Sequence, residues 1–197
     1  MNVKHDKEQV VEKGLQLFCS KGYTSVGLEE ICQTTGMTKG AFYNAFESKE
    51  NFLLETIASF DRSNTARIAD ALQPVPGVRA LGQLKAFYAG MLKVQPKMNF
   101  MGCMVNNMMS ELGVHNERVA VATKKGFEHI IKAVEPTVRR AQQEGDLDPG
   151  TAPLELAALL HTTFYGVLTR AKSLGSTRKG QRTMDLLFST FKHQQHV

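Results

Sequence analysis

With 197 residues, 42% of them hydrophobic and 22% charged, the chain falls in the soluble globular range and can bury one sizeable core or a small domain beside a larger one. No apolar run approaches the ~18 residues that a membrane span needs, and Met1 to His5 lead into no apolar signal region, so the expectation is a cytoplasmic protein with no membrane partner. The net charge of +5 is unevenly spread: residues 1–60 hold six lysines against eight acids, so a polyanion contact from that end must rest on individual side chains.

The apolar spacing is helical from end to end. Asp6 and Gln9 form a capping box ahead of Val11, Leu15, Phe18 and Cys19, and Gly22 ends this first helix. Gly27 caps a short second helix over about 28–35, with Glu29 and Glu30 in its first turn. Gly36-Met37 make a turn, Thr38 caps a third helix to about Phe46, and Ser48 caps a long fourth. Pro74-Val75-Pro76-Gly77 is the clearest break. Helical patterns then cover about 78–94, 101–112, 116–143, 152–173 and 177–194, and Pro136 should kink the third of these. The expectation is an all-α protein of about nine helices. A three-helix unit over 1–50 precedes a larger helical bundle over 51–197.

Residues 24–49 read TSVGLEEICQTTGMTKGAFYNAFESK, two short helices about a tight turn, as a helix-turn-helix requires. Leu28, Ile31, Cys32, Met37, Phe42 and Phe46 form an inward set, which leaves Thr38, Lys39, Gly40, Tyr43 and Asn44 on the outer face of the third helix. Thr38 and Lys39 suit phosphate, Gly40 permits close approach, and Tyr43 offers a hydroxyl to phosphate and a ring to a thymine methyl. Asn44 can pair bidentately with an adenine edge, and Lys49 stands at the start of the fourth helix as a second phosphate clamp. The residues alone also allow an ordinary helical hairpin with a solvated face.

Leu154, Ala158, His161 and Tyr165 line one side of the 152–173 helix, and Leu156, Leu159, Leu160, Thr163 and Val167 cover much of the rest, so it must be buried on two sides. Met184, Leu187, Phe188 and Phe191 add an apolar face to the last helix. Residues 98–109 hold five of the nine methionines, a composition that fits an adaptable apolar cavity as well as plain core. Phe100 and Met104 belong to that run, and Phe87, Met91, Phe127 and Phe164 come from other helices that could face it. His161 and Tyr165 either line the cavity or satisfy each other in the core.

Three cysteines and six scattered histidines, His193 and His196 among them, lack metal-ligand spacing, so neither a metal nor a cofactor is expected. Cys19 and Cys32 fall on core-facing positions. Cys103 follows Gly102 at the start of a short helix, where amide dipoles favour a thiolate; it is either a reactive thiol or a buried inert one. No phosphate loop, HExxH or nucleophile elbow occurs, and Glu111 and His115 flank Gly113, a poor platform for acid–base work, so an enzyme is not expected.

The run TGMTKGAFYNAFESKENF resembles the DNA-binding signature of the TetR family of repressors. The likeness covers residues 6–56: a long first helix, a short second, a recognition helix ending in Tyr-x-x-Phe, and Ser-Lys-Glu opening the fourth. It implies DNA contacts from Thr38, Lys39, Gly40, Tyr43, Asn44 and Lys49. It also implies a homodimer through about 152–173 and 177–194 that reads a palindromic double-stranded operator and is released by a small-molecule effector. Gly27 and Ala45 depart from the polar residues often found there, so this recognition helix carries fewer reading groups than many relatives. The Gly102-Cys103 step and Lys172 resemble the N-ethylmaleimide-responsive subgroup, in which a cysteine at this point senses electrophiles. The effector region is accordingly expected at Cys103, Met91, Phe100, Met104, Phe127, His161, Phe164, Tyr165 and Lys172. A non-covalent apolar effector, with Cys103 merely structural, is the alternative.

Overall fold

A computed structural model describes residues 6–191. Residues 192–194 of the expected last helix, and His193 and His196, lie outside the described residues. The elements are α1 (Lys7–Lys21), α2 (Leu28–Thr35), α3 (Lys39–Phe46), α4 (Lys49–Ala71), α5 (Ala80–Val94), a 3-10 turn (Gln95–Met98), α6 (Met104–Leu112), α7 (Glu117–Gln143), α8 (Pro153–Leu174) and α9 (Arg178–Thr190). No strand occurs among the described residues. None of the described helices is long and apolar enough to cross a membrane.

Local chemistry accounts for most boundaries. The Asp6 carboxylate accepts from the Glu8 N–H at 3.0 Å and caps α1. Gly36 ends α2 in the left-handed region at φ 77°, and the Thr38 hydroxyl accepts from the Ala41 N–H at 3.2 Å to open α3. Ser48 Oγ accepts from the Asn51 N–H at 3.0 Å at the start of α4. α6 begins three residues later than expected. Asn99 (φ 48°), Phe100 (φ 54°) and Gly102 (φ 76°) take left-handed conformations, tied by Phe100 N–H to the Gln95 carbonyl at 2.8 Å and Gly102 N–H to Gln95 Oε1 at 3.1 Å. Cys103 thereby becomes the N-cap of α6. α7 continues through Pro136 without ending there.

The chain forms two compact units, and they do not follow the expected division at residue 50. The first joins Met1–Ser63 to Cys103–Phe127; the second joins Asn64–Gly102 to Glu128–Val197. The reason is packing. Met104 and Met108 of α6, with Leu112 and Val119, are buried in the same core as Phe18, Phe42, Phe46 and Phe52. Rings meet edge to face there, with Phe46–Phe52 centroids 4.7 Å apart and Phe42–Phe52 5.3 Å apart. Gly14 makes room for Phe52, whose Cζ would stand 2.3 Å from a Cβ at that position. Each fully buried Phe or Met stabilises the unit by roughly 1.5–3 kcal/mol, so α6 is a structural part of it.

In the second unit α8 packs on α9, and α9 on α5. Leu84, Tyr88, Leu92, Leu156, Leu160, Phe164, Met184 and Phe188 form its interior. Of the expected apolar face of α9, Met184 and Phe188 point into the protomer's own core, and Leu187 and Phe191 are half-buried. Leu186, which lies outside that face, is 66% exposed, and on α8 Leu159 is 46% exposed.

Candidate nucleic-acid interface

The reading face is built on α2 and α3 of the first unit. Ile31 and Cys32 of α2, Met37 of the turn, and Phe42 and Phe46 of α3 are all buried. That anchoring leaves the opposite side of α3 free: Phe42 is fully buried while its neighbour Tyr43 is 52% exposed. Thr38, Lys39, Gly40 and Asn44 are exposed as well. Nothing lies within 4 Å of where a Cβ on Gly40 would stand, so its surface is open to a phosphate strand. The Thr38 oxygen is occupied as a cap, but its O–H remains a donor. The five residues expected on the outer face of α3 are thus all exposed.

Lys49 is placed differently. It is half-buried, and its Nζ lies 4.0 Å from the centroid of the Tyr23 ring. Burial pulls its ammonium below the ordinary value, with the Glu111 carboxylate acting the other way. A phosphate approaching Lys49 competes with these two partners.

Several polar residues beside the helix-turn-helix make contacts that the sequence did not reveal. The Glu111 carboxylate, on α6, accepts from the Tyr23 N–H at 3.0 Å and the Thr24 N–H at 2.7 Å. At the start of α7, Arg118 donates to Glu50 Oε1 at 2.6 Å and Asn51 Oδ1 at 3.0 Å, and Asn116 donates to Glu50 Oε2 at 2.9 Å. Asn51 Nδ2 in turn reaches Glu47 Oε2 at 3.2 Å, at the end of α3.

The expected effector residues are divided between the units. Cys103, Met104 and Phe127 belong to the first. Cys103 is 8% exposed, and Met104 is fully buried where its Sδ accepts from the Cys19 thiol at 3.6 Å. Cys19 and Cys32 sit at the core as expected, and burial pushes the Cys32 thiol up. Met91, Phe100, His161, Phe164, Tyr165 and Lys172 belong to the second unit. There His161 and Phe164 meet Tyr88, which was not singled out in the sequence, and Tyr165 packs on His161. Tyr88 Oη lies 3.4 Å from His161 Nδ1, and burial holds the imidazole down at about 3 and raises the phenol. Both are neutral at pH 7. Met91 and Phe100 are half-buried, and Lys172 is exposed in the last turn of α8. No cluster of three or more potential metal ligands occurs among the described residues.

Comparison with known proteins bears on both halves. Residues 10–56 match the family described as "Bacterial regulatory proteins, tetR family", and residues 80–187 match "Tetracyclin repressor-like, C-terminal domain". The HTH-type transcriptional repressor DhaR of Mycobacterium sp. (strain GP1) is 29% identical over 170 residues, 84% of this chain and 82% of that protein. The HTH-type transcriptional repressor NemR of Escherichia coli (strain K12) is 25% identical over 173 residues, 87% of this chain and 86% of that protein. Among solved structures, a regulatory protein TetR from Rhodobacter sphaeroides aligns with a TM-score of 0.84 at 26% identity, covering 93% of this chain and 97% of that one.

Proposed function

The chain belongs to the TetR family of DNA-binding transcriptional repressors, and on that premise we propose that it acts as a homodimer, reading a palindromic operator through Thr38, Lys39, Gly40, Tyr43 and Asn44 of each protomer and releasing it when an effector engages its C-terminal half. The observation that carries the assignment is the two-sidedness of α3, with Phe42 and Phe46 locked in the core and Tyr43 half-exposed beside Lys39 and Asn44. Lys39 and Lys49 supply charge to phosphate, and Asn44 is the one group on the face with the donor–acceptor pair that an adenine edge demands. Pairing of protomers through α8 and α9 is supported by Leu159 and Leu186, apolar side chains that a lone protomer leaves in water. Selection of bound duplexes from a random library tests the reading: an inverted repeat with half-sites one or more helical turns apart is expected, and recovery of no common sequence refutes it.

For the effector, the proposal is covalent sensing at Cys103, supported by its N-cap position on α6 and the likeness to electrophile-responsive repressors. A thiolate there adds to an activated alkene such as that of N-ethylmaleimide: the C–S bond forms as the C=C π bond opens, and the adjacent carbon takes a proton from water. A second reading, a non-covalent apolar effector, is favoured by one observation: Cys103 is buried while Cys19 is only partly so. Relative labelling rates of the three thiols separate the two readings.

A further inference from the structure

Glu111 and the first turn of α7 do something the reading face does not explain. The carboxylate reaches back to the loop after α1, where it takes both the Tyr23 and Thr24 amides. Gly22 is shaped for this approach: it sits at φ 80°, and a Cβ there would stand 2.9 Å from Glu111 Oε2. The ammonium of Lys49 lies over the ring of Tyr23, so the same loop touches the opening of α4. From the other side, Arg118 and Asn116 hold Glu50, and Arg118 holds Asn51, which bonds Glu47 at the end of α3. Asn116 is itself fixed, its Oδ1 accepting from the Val119 N–H at 3.0 Å. The α6–α7 corner therefore grips the helix-turn-helix at two places, neither of which belongs to the reading face.

We propose that Glu111 and Arg118 are positioning residues for operator recognition: the α6–α7 corner braces the α1–α2 loop and the α3–α4 junction, and so fixes the angle at which α3 meets the groove. Although burial alone would raise the Glu111 carboxyl, the bonds from Thr24 and Tyr23 and the nearby Lys49 hold it below its ordinary value, so the brace is charged at neutral pH. The effect on specificity follows from geometry. Base-edge contacts need a correctly set helix, whereas phosphate attraction tolerates a loosely set one.

The proposal rests on the chain's reading of an operator, and the test keeps the two apart by using the sequence that wild-type protein itself selects. Charge alone makes the opposite forecast. Removing a carboxylate beside Lys49 raises the positive field toward DNA and should tighten all binding. The brace instead requires that Glu111→Gln bind the operator about tenfold more weakly, bind random duplex no more weakly than wild type, and keep the same slope of log Kd against log salt, because no phosphate contact is lost. Fluorescence anisotropy at three salt concentrations reads all of these. Operator binding that is unchanged or tighter overturns the proposal. If Glu111→Gln melts at a markedly lower temperature, Glu50→Gln decides, because its ion pair with the exposed Arg118 is open to solvent on one side and contributes less to folding. That variant also removes an acid, and a tightened or unchanged operator Kd overturns the brace equally. Wild-type protein that selects no sequence at all defeats the operator reading itself and takes the brace with it.

Discussion

His161 should make the stability of this protein steeply sensitive to mild acid. It is buried on α8 among Tyr88, Phe164 and Tyr165, and burial depresses its pKa from the ordinary 6.5 to about 3. A base with a depressed folded-state pKa binds its proton more readily in the unfolded chain. The stabilisation is therefore complete above pH 6.5 and is lost as pH falls from there toward about 3. The loss approaches ~1.4 kcal/mol per pH unit, so at pH 4.5 this one imidazole removes roughly 2.5 kcal/mol from a total that is typically 5–15 kcal/mol. Urea melts of wild type and His161→Gln at pH 7.0, 5.5 and 4.5 isolate the effect, since the carboxylates titrate alike in both. The variant should be the less stable protein at pH 7, because it disturbs a packed ring cluster, and the gap should close by about 2 kcal/mol or reverse at pH 4.5. Stability curves that stay parallel across this range would refute the assignment of a neutral, desolvated imidazole.

Lys39→Ala and Tyr43→Ala should abolish operator binding in gel shifts while leaving the circular dichroism spectrum intact, because both side chains point away from the core; operator binding by Tyr43→Ala at wild-type affinity would show that the wrong face was assigned. Asn44→Ala should relax preference at one half-site position, whereas Lys49→Ala should weaken all duplexes alike and reduce the salt slope by about one unit at most. Leu159→Asp combined with Leu186→Asp should yield monomers by sedimentation, since an unpaired charge at a buried contact costs several kcal/mol, and a dimer that survives both would relocate the interface. Phe188→Asp, by contrast, should unfold the protomer, as that ring lies in its own core. Sub-stoichiometric N-ethylmaleimide should label Cys103 before Cys19 and Cys32, and Cys103→Ser should bind operator yet ignore the reagent; faster labelling at Cys19 would transfer the case to a non-covalent effector.

What could be read from the sequence was what depends on neighbours in the chain. Gly22, Gly36, Thr38 and Ser48 end or open helices through bonds spanning a few residues, so the boundaries from α1 to the start of α4 were legible to within a residue. The outer face of α3 followed from the spacing of Phe42 and Phe46, which is equally local. The division into units was not legible in this way, although one signal lay in plain view. Met104, Met108 and Leu112 repeat at i, i+4 and i+8, the stripe of a helix committed to a core, while the abundance of methionine suggested a cavity wall instead. That stripe binds α6 to the helix-turn-helix, 50 residues and more upstream. Glu111 shows the limit more sharply. Beside His115 and Gly113 it looked like a failed acid–base pair, because its partners are backbone amides 87 and 88 residues away, and an amide carries no letter in a sequence. Gly22 was read only as a helix end. Its second role, admitting a carboxylate where any Cβ would crowd it, exists only once α6 is in place. A residue whose function is to hold a distant backbone leaves its trace at the far end, in the glycine that lets it approach.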